Sequence, residues 1–202
     1  MLARRHIDEV VRIHLQSFPS FFLSFLGSRF LREFYSSFLV DPTGVGYVVI
    51  DDDGKVVGAV VGPVDPRGYF QRLLKHRWWA FCVASIGAVL RRPTIIPRLW
   101  QALFYRGESP GGAGRALLSS IAVAPAAQGC GAGRLLVQAW LAEAWRRGAS
   151  GAYLTTDTEA NEAVNRFYCG LGWALETSYV TREGRRMNRY IFDFPPLPKN
   201  SG

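Results

Sequence analysis

The chain is predicted to fold as an α/β domain, on three observations. Apolar, β-branched runs suited to strands alternate with segments of helical period. Two turn signals, Asp52-Asp53-Gly54-Lys55 and Glu183-Gly184, each separate two such runs and so predict antiparallel hairpins. Between them, Leu118 to Leu136 reads as a strand stopped by Pro125, a loop carrying Gly129, Gly131 and Gly133, and the start of a helix. The 202 residues suit one domain, spanning 1–202, and a content of 49% hydrophobic and 13% aromatic residues is ample for a packed core.

The elements follow in order. Residues 4–18 place Ile7, Val10, Val11 and Leu15 on one helical face, with Asp8 near the start and Pro19 closing the segment. Residues 21–39 continue the helical pattern through Phe22, Phe25, Leu26, Phe30, Phe34 and Phe38, an aromatic stripe read as core or as one wall of an acceptor pocket. Residues 46–51 and 56–64 make the first hairpin, and 115–123 a central strand. A helix over 134–147 turns Leu135, Leu136, Ala139, Trp140 and Ala144 inward and ends in Arg146-Arg147-Gly148, cations and a glycine as a helix C-terminus prefers. A strand over 152–156, a helix over 161–171 stopped by Gly172, and a hairpin of 174–182 with 185–194 complete the fold before Pro195-Pro196-Leu197-Pro198.

Charge is unevenly placed. From Asp65 to Glu108 no acidic residue intervenes, while Arg67, Arg72, Lys75, Arg77, Arg91, Arg92, Arg98 and Arg106 are basic and account for the whole net charge of +8. The same stretch holds an apolar run from Trp78 to Leu90, which as a helix reaches about 20 Å and is too short to span a bilayer of about 30 Å. Residues 65–112 therefore read as a basic, aromatic helical insertion. It packs on the domain, or caps an acceptor site and attracts an anionic acceptor, or lies on a membrane surface as a peripheral contact. No nucleic-acid motif accompanies the charge, so nucleic acid is not an expected partner. Three cysteines without metal-ligand spacing point to reduced thiols, a cytoplasmic protein and no bound metal. The aromatic surplus leaves a homodimer open.

Glycines at alternate positions leave backbone N–H groups uncovered, and the helix that follows adds its free donors and the positive end of its dipole. The loop is thus suited to an anion such as a pyrophosphate. Gly133 is followed by Arg134-Leu135 and not Lys-Ser/Thr, which excludes a nucleotide-hydrolase loop, and the glycine spacing departs from the dinucleotide fingerprint.

The segment Gln128-Gly129-Cys130-Gly131-Ala132-Gly133 resembles the Gln/Arg-x-x-Gly-x-Gly/Ala signature of the GNAT superfamily of N-acetyltransferases. Downstream, Asn161-Glu162-Ala163-Val164-Asn165-Arg166-Phe167-Tyr168-Cys169-Gly170-Leu171-Gly172-Trp173 is similar to that superfamily's Asn-x-x-Ala-x-x-Phe-Tyr motif. The resemblance implies the GNAT fold, a single mixed, mostly antiparallel central sheet flanked by helices, with the insertion between the first hairpin and the next strand. Only Met1-Leu2-Ala3 precedes the first helix, so the family's first strand is expected to be truncated or absent. It also implies acetyl-coenzyme A as cosubstrate and direct attack by an amine without a protein nucleophile. Main chain of Ile121, Ala122 and Val123 would pair with pantetheine, amides of Gln128, Gly129, Cys130, Gly131, Ala132, Gly133 and Arg134 would take the pyrophosphate, and a main-chain N–H near Val123 would polarise the thioester carbonyl. Tyr168 would protonate the departing thiolate, and Asn161 would bond pantetheine or nearby main chain, or cap its own helix.

The base is less evident, because the strand over 115–123 offers no carboxylate. Asp157 is the expected base; Glu159, Glu108 and a water chain through Ser119 and Ser120 are the alternatives. His76 could serve only if the insertion folds over the site, and otherwise the three histidines are expected at the surface. A local excess of positive charge favours a small-molecule amine that also carries phosphate or carboxylate, such as an amino-sugar nucleotide or a lipid-linked amino sugar. The competing reading is a non-catalytic module that binds acetyl-coenzyme A and uses the aromatic insertion to engage a protein or membrane.

Overall fold

The computed structural model describes residues 1–19, 21–91, 114–181 and 184–195. Arg92, Arg98, Arg106 and Glu108, in the second half of the expected insertion, lie outside the described residues, as do Arg182, Glu183 and the chain from Pro196.

One turn of 3-10 helix, Arg4–His6, leads into α1 (Ile7–Ser17), whose Ile7, Val10 and Val11 are buried as the sequence pattern requires, with Leu15 half-buried; Ile13, outside that pattern, is buried as well. Leu2 donates its N–H to Gly46 O at 2.9 Å, a single rung in place of a paired strand ahead of α1 among the described residues. The one helix expected over 21–39 is two, α2 (Phe22–Leu26) and α3 (Ser28–Val40). Gly27 sits between them at φ 90°, a conformation open to glycine at little cost, and the chain turns there.

β1 (Gly44–Ile50) and β2 (Val56–Pro63) form the first hairpin, and α4 (Pro66–Arg91) begins the insertion. Then come β3 (Arg115–Leu117), β4 (Ser120–Val123), α5 (Ala132–Arg146), β5 (Gly151–Asp157), α6 (Glu162–Cys169), β6 (Ala174–Val180) and β7 (Arg186–Asp193).

The expected single sheet is two, ordered β1-β2-β4 and β3-β5-β7-β6, and among the described strands only the β3-β5 pair is parallel. The reason lies within the stretch read as one strand. Arg115 to Leu117 pairs with β5, and Leu118 N–H still reaches Tyr153 O at 3.0 Å; the next amide, Ser119, turns the other way and bonds Val61 O at 2.9 Å. From Ser120 on, the chain pairs with β2 alone. A strand that changes partners cannot keep both neighbours in one ladder, so the sheet parts. Gly62 permits the crossing: a Cβ there would stand 1.9 Å from Leu117 O.

Each face of the parted sheet has its own core. Leu136, Val137, Trp140 and Ala144 of α5 fill one; Val10 and Val11 of α1 with Leu31, Tyr35 and Phe38 of α3 fill the other. Leu26, Phe30 and Phe38 of the aromatic stripe are buried, and Phe25 and Phe34 pack half-buried against them, so these five positions belong to the core. α4 packs Phe81 edge-on against Phe30 at 5.1 Å, while Arg72 holds Asp41 and Arg77 holds Glu33, each at 2.7 Å. The histidines correct the expectation of surface positions: His14 is 1% exposed and His6 7%, and only His76 faces solvent. His14 falls on the inward side of α1 because it lies four residues after Val10.

Candidate active site

Where the sheet parts, two strand edges face each other without pairing. Among the described residues, Ser120–Val123 is laddered only to β2, and the outer half of β5 only to β7. Ala124 N–H donates to Val57 O at 2.8 Å, so by antiparallel alternation Ala122 also turns its main chain toward β2. Ile121 and Val123 therefore direct theirs into the gap. Of the three residues expected to meet pantetheine, two have main chain facing the gap and Ala122 does not. Val123 O is already held, by Ser17 Oγ at 3.0 Å and by the Gln128 side-chain amide at 3.2 Å. Gln128 thus braces the strand end, and its own amide, expected to take phosphate, donates instead to Pro125 O at 3.4 Å.

The glycine loop stands open at the end of β4. Gly129 and Gly131 have φ of 83° and 84°, and a Cβ added to either would meet nothing within 4 Å. The amides of Gly129, Cys130, Gly131, Ala132, Gly133 and Arg134 donate to no acceptor among the described residues; the first bond of the following helix is Leu135 N–H to Gly131 O at 3.1 Å. A row of free donors at the N-terminus of a 15-residue helix has the donor set that a diphosphate requires. Cys130 is exposed and unpaired beside it. Gly133 keeps the loop close to α6, since a Cβ there would come within 3.3 Å of the Phe167 ring.

α6 presents Tyr168 to the interior. Its ring packs against Phe167 at 5.3 Å, Trp173 at 5.8 Å and Tyr190 at 6.1 Å. Burial pushes the phenol well above its ordinary value, so it is protonated at neutral pH. No hydrogen bond to its hydroxyl is found among the described residues. Asn161 caps nothing with its side chain; it donates to Thr156 Oγ1 at 2.6 Å and to Asp157 O at 3.0 Å, tying the start of α6 to the end of β5.

Asp157 has a different engagement from the one expected of a base. Both its carboxylate oxygens accept from Arg185 Nη2, at 2.7 and 2.8 Å, and Nε adds a third contact at 3.2 Å. Arg185 also lies over the Phe21 ring, 5.6 Å from its centroid. Glu159 is mostly exposed and sits 3.6 Å from Arg186. Neither carboxylate is free of an arginine. Among the described residues no cluster of three or more metal-ligating side chains forms.

Two polar networks were missed in the sequence. His14 Nδ1 lies 2.8 Å from the Tyr35 hydroxyl, which lies 3.2 Å from Ser120 Oγ, so a buried chain of polar groups ends on β4 beside the gap. Burial holds His14 down to about 4, hence neutral. Asn165 donates to Asp157 O at 3.2 Å and its carbonyl accepts from Asn188 and Tyr190, at 3.2 and 3.0 Å, locking α6 onto β5 and β7. A polar residue on a largely apolar helix face, as at His14, was the only available signal.

A mixed sheet parted beside a loop of bare amides is suited to an extended, phosphate-bearing ligand laid between two strands. The sequence model of the acetyltransferase (GNAT) family matches residues 7–173, and the chain belongs to that family of N-acetyltransferases, which use acetyl-coenzyme A. A candidate acetyltransferase of the GNAT family from Desulfovibrio desulfuricans superposes with a TM-score of 0.61 at 16% identity, covering 96% of this chain and 95% of its own. Naa20 from Chaetomium thermophilum, in complex with a bisubstrate analogue, gives 0.57 at 16% identity, over 95% and 84%. A candidate streptothricin acetyltransferase from Bacillus anthracis, in complex with acetyl coenzyme A, gives 0.52 at 13%, over 80% and 68%. At such identities the likeness is one of fold. No curated protein matches the chain.

Proposed function

We propose that this chain transfers the acetyl group of acetyl-coenzyme A directly to the primary amine of a small, anionic acceptor, an amino-sugar nucleotide or a lipid-linked amino sugar. The observation that carries the reading is the row of unpaired amides from Gly129 to Arg134 beside the unpaired edges of β4 and β5. The loop would take the diphosphate; Ile121 and Val123 would add the pantetheine arm like a strand. The Val123 N–H would stabilise the oxyanion as the amine nitrogen bonds to the acyl carbon and the carbon–sulfur bond breaks. Tyr168 would give its proton to the thiolate. The amine's proton would leave by water along Ser119 and Ser120, with Asp157 able to serve only after releasing Arg185. The preference for an anionic acceptor is supported by the acid-free basic segment. Unpaired Cys82, Cys130 and Cys169 fit a reducing cytoplasm.

Thiol release from acetyl-coenzyme A with a panel of amines tests this reading. Turnover on anionic amino sugars, lowered about a hundredfold or more in Tyr168→Phe, supports it; strong activity on polyamines with none on amino sugars overturns the acceptor class. The engagement of Asp157 and Glu159 by arginines favours one other reading, a module that binds acetyl-coenzyme A without turnover. Calorimetric binding with no thiol release from any amine would support that module.

A further inference from the structure

One side of α4 has no role in the chemistry above. Its inward side, with Tyr69, Ala80, Phe81 and Ser85, is buried against the domain, near α2 and α3. The outward side carries Lys75, Trp78, Trp79 and Val83. Trp78 is 54% exposed, Trp79 60% and Val83 57%. Residues 75, 79 and 83 recur every four positions, and Trp78 lies beside them, so the four share one stripe. The sequence alone shows a helix apolar on all sides; burial of one side leaves the other as an aromatic face with a cation at its N-terminal end.

Charge says what covers that face. No acidic residue occurs between Asp65 and Glu108, against eight basic ones. Arg72 and Arg77 are committed to Asp41 and Glu33, whereas Arg67 and Lys75 are exposed and form no ion pair among the described residues. Tryptophans beside lysine and arginine suit the boundary between headgroups and acyl chains, where the rings leave water while the cations stay on anionic headgroups. No helix of the described residues is long and apolar enough to cross a membrane. A contact along the helix side is the mode that remains for α4.

We propose that α4 docks this protein on an anionic lipid surface, with Trp78, Trp79 and Val83 entering the interface and Lys75 and Arg67 on the headgroups. The proposal does not depend on the identity of the acceptor.

Flotation of the full chain with two kinds of vesicle tests it, phosphatidylcholine alone and phosphatidylcholine with a minority of phosphatidylglycerol. The chain is expected to float with the anionic vesicles only, and to be released by high salt. The double variant Trp78→Ser, Trp79→Ser should lose at least about tenfold in partition, and Lys75→Glu about fivefold or more. Both should keep the wild-type affinity for acetyl-coenzyme A by calorimetry, which shows the fold intact. Flotation with neither vesicle, equal uptake by both, or undiminished partition of the tryptophan variant would overturn the proposal. So would a dimer in sedimentation equilibrium that the tryptophan variant dissolves, which would assign the face to a second copy of the chain.

Discussion

Arg185 clasps Asp157 through both carboxylate oxygens, at 2.7 and 2.8 Å, and so joins the β6–β7 turn to the end of β5. The pair is partly exposed, at 43% and 37%, and is worth at most about 1 kcal/mol of stability. Asp157→Asn is expected to shift the melting temperature slightly and to retain kcat within about tenfold, because those lone pairs are already taken. A loss of about a hundredfold or more in steady-state kcat would mean that Asp157 lets go of Arg185 and acts as the base.

Removing the Tyr168 hydroxyl leaves no partner stranded among the described residues, since none of them bonds it. Tyr168→Phe should therefore unfold at nearly the wild-type denaturant concentration. Its kcat should fall by about a hundredfold or more, while calorimetric affinity for acetyl-coenzyme A stays within about threefold. A normal kcat would remove the tyrosine from the reaction.

Gly131 has φ of 84° and free space where a side chain would stand. Gly131→Ala should cost about 1–2 kcal/mol in folding, from the left-handed backbone alone. The added methyl should also weaken acetyl-coenzyme A by about tenfold in titration calorimetry, because it fills open space at the loop that a diphosphate would enter. Unchanged affinity would place the diphosphate elsewhere.

His14 gives a pH dependence with a definite sign. Burial lowers it from 6.5 to about 4, so the unfolded chain takes up a proton that the folded chain refuses. Stability is full above about pH 6.5 and is lost as pH falls toward 4, by up to about 3 kcal/mol over that interval. His6, lowered by its own burial and by Arg5, acts in the same direction. Urea midpoints at several pH values should show the decline, and His14→Gln should flatten much of it.

Much of the site was legible because it is written in backbone requirements. Gly129 and Gly131 occupy left-handed positions, and Gly133 and Phe167 set the close approach of loop and helix, so residue type alone located the loop. What escaped were relations between distant residues. Nothing local in the helix of His14 announces Tyr35 21 positions later or Ser120 on another strand, and nothing near Asp157 announces Arg185 28 positions on. Likewise, hydropathy marked residues 115–123 as one strand, whereas the exchange of partners between Leu118 and Ser119 depends on which neighbour each amide reaches.

The sequence by itself determined the alternation of strands and helices, the glycine loop and the second motif, since period, turn chemistry and glycine requirements act within a few residues. Tertiary structure alone decided that the sheet parts, that Ala122 turns away from the gap, that Asp157 is held by an arginine and that Trp78, Trp79 and Val83 of α4 stay exposed. Those outcomes depend on contacts between segments far apart in the chain, whose energies no local pattern encodes.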